Sequence, residues 1–118
     1  MTSDQLHGRA ASRAAADALG RFGLIVTFVA RPETQVQLGA VLLEIDALLK
    51  ASEGCLFHEV AREVSDPCRY WVTEAFTERE AHAAAVADSR VQEAAARMRE
   101  LLADPPVRRE LEPLTAPK

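Results

Sequence analysis

The sequence predicts an α+β fold in which a four-stranded antiparallel sheet carries helices on one face. Three observations predict it. Residues 23–30 (Gly-Leu-Ile-Val-Thr-Phe-Val-Ala) form a short β-branched and aromatic run, the pattern of a central strand buried on both faces. Residues 54–76 read as two strands joined by the turn Ser65-Asp66-Pro67, a hairpin at the middle of the chain. Helical periodicity flanks that hairpin on both sides, and an alternating stretch at 107–114 closes the chain as an edge strand. The order is β-α-β-β-α-β, the split βαβ arrangement, preceded by one further helix.

The 118 residues suffice for one domain with a single core. An apolar content of 48% and a charged content of 27% are those of an ordinary globular chain. The net charge of −4 argues against a nucleic-acid partner, which demands a basic surface. The most apolar stretch, 24–30, is strand-sized, so no membrane span is expected. Cys55 and Cys68 are too sparse for a disulfide framework or a zinc site, which implies a reduced, cytoplasmic protein. Three scattered histidines offer no metal-ligand spacing.

Taken in order, residues 3–20 read as a helix with Leu6, Ala10, Ala14 and Leu19 to one side, part of an N-terminal extension over 1–22. The first strand follows from 23 and is stopped by Arg31-Pro32, because proline donates nothing to a ladder. Thr34 and Gln37 have capping-box spacing, and Leu38, Val41, Leu42, Ile45, Leu48 and Leu49 then form one apolar stripe. Gly54 suits the left-handed end of that helix. In the hairpin, Cys55, Phe57, Glu59, Ala61 and Glu63 should share one face, with Leu56, His58, Val60, Arg62 and Val64 on the other; Tyr70, Val72, Glu74 and Phe76 share a face of the second strand. Thr77 to Glu80 is a second capping box, opening a short Ala-rich helix. Asp88-Ser89 caps another helix running to about Ala103, ended by Asp104-Pro105-Pro106. The domain proper spans 23–114, and 115–118 is a tail. The sheet face without helices carries apolar residues, and burying it face to face predicts a symmetric homodimer.

Several segments together carry a resemblance: Gly54-Cys55-Leu56-x-x-Glu-Val, Asp66-Pro67-x-Arg69-Tyr70, Thr73-Glu74-Ala75-Phe76 before a capped Ala-rich helix, Ala87-Asp88-Ser89-Arg90-Val91-Gln92, and Leu111-Glu112-Pro113-Leu114. In this order and spacing they resemble the antibiotic biosynthesis monooxygenase (ABM) domain, over roughly 23–114. The resemblance implies a ferredoxin-like protomer in a dimeric α+β barrel. It also implies a cofactor-independent monooxygenase that deprotonates a phenol or quinol in an apolar pocket and lets the anion meet dioxygen. Relatives that degrade haem carry Trp at the position of Ala85, so no haem is expected. Phenol-oxidising members carry Asn where Val72 stands, quinol-type members carry His at the positions of Ala85 and Arg90, and an aromatic, most often Tyr, usually occupies the position of His58.

His58, the one histidine within the sheet, is the candidate base, against the alternative of a satisfied histidine lining the sheet. Phe57, Trp71, Val72 and Phe76 are the candidate pocket walls. His82 and Arg90 are candidate contacts for substrate, with solvent exposure and surface charge as the competing readings. Cys55 and Cys68 are packing residues, without the partner a nucleophilic thiol needs. The function expected is oxidation of an aromatic or quinol-like small molecule by dioxygen with neither metal nor flavin. The rival is a non-catalytic dimer of the same fold that binds a small hydrophobic ligand or serves as an accessory protein.

Overall fold

The computed structural model describes residues 20–115. Four strands and three helices follow in the order β1 (Phe22–Val29), α1 (Gln35–Lys50), β2 (Cys55–Glu63), β3 (Asp66–Phe76), α2 (Arg79–Val86), α3 (Ser89–Arg99) and β4 (Val107–Leu111), with a 3-10 turn at Pro32–Thr34. The helix expected at 3–20 lies outside the described residues apart from Gly20. The sheet order is β2-β3-β1-β4 and every pairing is antiparallel. β1 and β3 are therefore central, as the unbroken apolar run of β1 predicts. The fold is the ferredoxin-like α+β arrangement.

Strand register sorts the side chains. Phe22, Leu24, Val26 and Phe28 of β1 stand opposite Phe76, Glu74, Val72 and Tyr70 of β3. His58 and Val60 of β2 stand opposite Glu74 and Val72. These residues form the face beneath the helices, where Leu38 and Leu42 of α1 and Ala94 and Met98 of α3 complete the core. A satellite cluster of Leu49, Phe76, Ala85 and Val91 fills the end nearest the hairpin's open side.

Two glycines matter sterically. Gly54 ends the α1 connection at φ +84°, the left-handed region expected of it. Gly39 lies inside α1, where a Cβ would come within 2.7 Å of the Tyr70 hydroxyl. That hydroxyl donates to the Gln35 carbonyl at 2.8 Å, so the helix needs a residue without a side chain here to accept the tyrosine.

Local expectations fail where backbone groups find better partners. The Thr34 hydroxyl donates to the Leu101 carbonyl at 2.7 Å rather than capping α1, and α2 is N-capped by Glu78 without a side-chain bond, not by Thr77. α3 stops at Arg99 instead of Ala103, because the Ala103 amide donates to the Val29 carbonyl at 2.8 Å instead of to the helix, while the Arg31 guanidinium holds the Glu100 and Leu102 carbonyls. Asp88 does cap α3, its carboxylate accepting from the Arg90 amide at 2.8 Å. The expected faces of β2 are also corrected at one position: Cys55 pairs with Phe76 and Phe57 with Ala75, so Leu56 is an extra residue. This bulge turns Cys55 under the helices, away from the face of Phe57.

Leu38 is fully enclosed, with no exposed surface. Truncation to Ala should cost about 2–5 kcal/mol, read as a fall in the urea midpoint with unchanged slope.

Candidate functional site

The register that builds the core also places acids and bases in it. His58 on β2 and Glu74 on β3 are a cross-strand pair on the helix-covered face. From α1, Asp46 reaches down so that its Oδ1 lies 2.6 Å from His58 Nδ1. From α2, His82 presents Nε2 2.8 Å from Glu74 Oε1. His58 Nε2 lies 3.4 Å from Glu74 Oε2. The result is a chain of alternating carboxylates and imidazoles, Asp46–His58–Glu74–His82, drawn from four elements. Lys50 continues it to the surface, 3.0 Å from Asp46 Oδ2.

The chain is deeply set: the side chains of His58 and Glu74 are 1% and 5% exposed. Burial by itself would lower the His58 pKa, but the Glu74 and Asp46 carboxylates outweigh it and hold the imidazole above its ordinary value. Burial would raise Glu74, yet His58 and His82 bring it down to about 2. Asp46 is lowered as well, burial being overcome by His58 and Lys50. The contacts around Glu74 are charge contacts without hydrogen-bond alignment, which leaves His58 Nε2 and Glu74 Oε1 buried with no aligned partner. Native interiors rarely leave such atoms without a partner.

Beside these two residues lies a cavity of about 150 Å³ between sheet and helices. Its walls are apolar, with Leu24, Val26, Leu42, Val72 and Met98 among them, and His58, Glu74 and His82 are its ionisable groups. It shares Leu24, Val26, Phe28 and His82 with a wider groove between α2 and β4, rimmed by Arg79, Arg108 and Glu110. Arg79 spans that groove, bonded to both Glu110 oxygens at 2.9 and 3.0 Å and stacked 4.6 Å over the Phe22 ring.

Of the expected site residues, the structure gathers His58, Val72 and His82 around the cavity. Phe76 sits behind it, fully buried and edge-on to the His82 ring at 5.2 Å. Phe57 and Trp71 do not belong with them. Past the bulge, odd positions of β2 and β3 point away from the helices, so both aromatics lie on the outer face, 38% and 37% exposed. Arg90 is also remote: its guanidinium is held by Asp88 at 3.0 Å on the solvent side of α3. His82 is less exposed than a surface histidine, its ring 4.8 Å from that of Phe22. Asp46 escaped notice in the sequence, although its place four residues after Leu42, beside the apolar stripe, marks an acid turned toward the core. The pairing of Glu74 with two histidines becomes visible only with the register.

The family model for antibiotic biosynthesis monooxygenases matches residues 21–97. The chain belongs to this family. An ABM-named protein from Chloroflexus aurantiacus J-10-fl is 32% identical and superposes with a TM-score of 0.72, the match covering 83% of this chain and 97% of that one. One from Caulobacter crescentus CB15, named for the same family, is 24% identical with a TM-score of 0.75, over 86% and 97% of the two chains. SnoaB of Streptomyces nogalater, a cofactor-independent oxygenase, is 16% identical with a TM-score of 0.70, over 78% of this chain and 91% of its own. At these lower identities the last two show a shared fold alone. The curated proteins contain no match. Among the described residues no helix is long and apolar enough to cross a membrane, and no group of three His, Cys, Asp or Glu side chains is arranged around a metal site.

The buried charges of this ABM protein give its stability a pH signature. Glu74 has a folded pKa below its unfolded one, so its contribution is complete above about 4.5 and is lost as pH falls toward about 2. His58 has a folded pKa above its unfolded one, so its contribution is complete below about 6.5 and declines as pH rises through the folded value. Urea unfolding across pH should show both limbs. Glu74→Gln should remove the acid limb, and His58→Gln the decline above neutrality.

Proposed function

We propose that this protein is a cofactor-independent monooxygenase acting on a small hydroxylated aromatic, a one-ring phenol or hydroquinone. The observation that carries this reading is the apolar cavity of about 150 Å³ abutting a buried His–Glu–His cluster with two unaligned polar atoms. An apolar wall favours a ring; the polar cluster at one end supplies a hydrogen-bond partner and a proton acceptor for its hydroxyl. A cavity of about this volume holds a benzene-sized molecule, so fused three-ring substrates do not fit without movement.

In this reading the hydroxyl enters toward the cluster of His58, Glu74 and His82. Loss of its proton gives an electron-rich anion, and the dry walls leave that anion unhydrated and reactive toward dioxygen. For a hydroquinone, one oxygen atom bonds to a ring carbon and the other leaves as water. The substrate supplies every electron and becomes a hydroxyquinone, and the hydrogens it loses leave in that water. The family membership and the SnoaB likeness of fold agree with this chemistry.

The catalytic site is one face of the sheet; the other is proposed to pair two copies. Trp71, Phe57, Val107 and Leu111 are each more than a third exposed on that face or at its edge, more apolar surface than a lone protomer usually shows. Replacing Trp71 with Asp places a charge at the centre of such an interface. Sedimentation should find a dimer for the natural chain and a monomer for Trp71→Asp, with the far-ultraviolet spectrum unchanged.

A second reading has its own observation: Val72, at a position where phenol-oxidising relatives carry Asn, gives the cavity an apolar wall. The protein would then hold a hydrophobic ligand without turning it over. Oxygen-electrode assays with one-ring hydroquinones separate the two. Uptake matched by quinone formation, and reduced about tenfold or more in Ala95→Leu, which fills the cavity, is the expected result. Tight ring binding with no uptake across the series selects the ligand-binding role.

A further inference from the structure

Three ionisable groups line the cavity, and their geometry separates their roles. His58 has a carboxylate at each ring nitrogen, Asp46 at 2.6 Å from Nδ1 and Glu74 at 3.4 Å from Nε2. Neither nitrogen offers a lone pair to a ligand while those carboxylates are charged, so His58 is poorly placed as the base that its position in the sheet first suggests. Glu74 lies between two imidazoles and is a weak proton acceptor for the same reason. His82 differs. Its Nε2 lies 2.8 Å from Glu74 Oε1, its Nδ1 has no hydrogen-bond partner among the described residues, and its ring is braced by Phe22 and Phe76. It also lines both the cavity and the groove that leads from it. The other charges around His82 are Arg79 of its own helix, paired with Glu110, and Arg108 across the groove on β4.

We infer that His82, oriented by Glu74, takes the proton from the bound hydroxyl, and that His58, gripped between Asp46 and Glu74, is a positioning residue that aims the Glu74 carboxylate. The inference rests on the cavity being the site for a hydroxylated ring. In the step, the O–H bond of the ligand breaks and an N–H bond forms at His82 Nδ1, giving a phenolate beside an imidazolium whose second proton faces Glu74. The carboxylate remains ionised and stabilises the new cation, as carboxylates behind catalytic imidazoles do. The groove then offers the proton a way to solvent without displacing the ligand.

The test uses the full chain and 4-nitrophenol, a one-ring phenol that turns yellow on ionisation. At a pH where the free probe is mostly neutral, the protein should bind it as phenolate. His82→Gln should bind it with about tenfold or more less phenolate, whereas His58→Gln should shift the pH profile of phenolate formation, because Glu74 loses its cationic partner on the neighbouring strand. In the natural chain, nitrogen resonances of labelled histidine should show His82 gaining a proton when the probe binds, with His58 doubly protonated before and after. Asp46→Asn, at a position outside the cavity wall, should weaken the protonation of His58. This second measurement needs neither histidine variant to fold. Phenolate retained in His82→Gln, or a proton gained by His58 on binding, overturns the inference. Absence of probe binding by the natural chain overturns both it and the reading of the cavity, whereas phenolate binding without oxygen uptake from hydroquinones overturns the oxygenase reading alone.

Discussion

Keeping the Glu74 carboxylate charged beneath two helices is the constraint on which the rest of the structure depends. An isolated carboxylate in such a place would cost several kcal/mol and would protonate instead. It stays ionised because His58 arrives from the neighbouring strand and His82 from the following helix. His58 in turn needs Asp46 from α1, and Asp46 is steadied by Lys50 one turn on. Strand register, helix phase and the angle of α2 over the sheet must all be right together. Buried charge of this kind is a poor source of net stability, since an apolar substitute of similar shape often does as well. Its persistence in a small domain points to a use other than holding the fold together.

The sheet divides its work between two sides. Even positions of β2 and β3 carry the core and the charged chain, while odd positions carry Phe57, Ala61, Trp71 and Thr73 outward. The proposed chemistry and the proposed assembly thus use alternate residues of the same strands, separated by little more than the thickness of a backbone. Substitutions on the outer face can therefore alter pairing without disturbing the cavity, provided that the strands keep their register.

Much of the fold was legible because it follows from periodicity. The continuous apolar run at 23–30 announced a central strand, the α1 stripe announced its buried face, and the alternation of β3 correctly grouped Tyr70, Val72, Glu74 and Phe76. What escaped was set by contacts distant in sequence. The capping boxes at Thr34 and Thr77 were sound local patterns, yet Thr34 bonds to a carbonyl 67 residues away. The site was half visible: His58 stands out as the lone histidine of the sheet, and its orientation followed from strand alternation. Its surroundings did not, because Asp46, Glu74 and His82 lie on three other elements and each looks ordinary alone. The aromatic residues drew attention by their size, and two of them proved to be on the wrong side.

The irregularities at the two ends of the β2–β3 ladder carry an evolutionary consequence. Register breaks once at Leu56 and again between Arg62 and Glu63, so the paired segment from Phe57 to Arg62 is bracketed by two places where a residue can be absorbed. Loops ordinarily tolerate a gain or loss of one residue. Here such a change, if it propagated into the ladder, would exchange inside for outside: Phe57 would take the place of the imidazole beneath the helices and His58 would face the open side. The bulges act as buffers that keep length variation out of the segment between them. Lineages in which the hairpin changed length can therefore retain the same inward residues, and those whose buffers failed would possess the same amino acids with their site turned to the solvent.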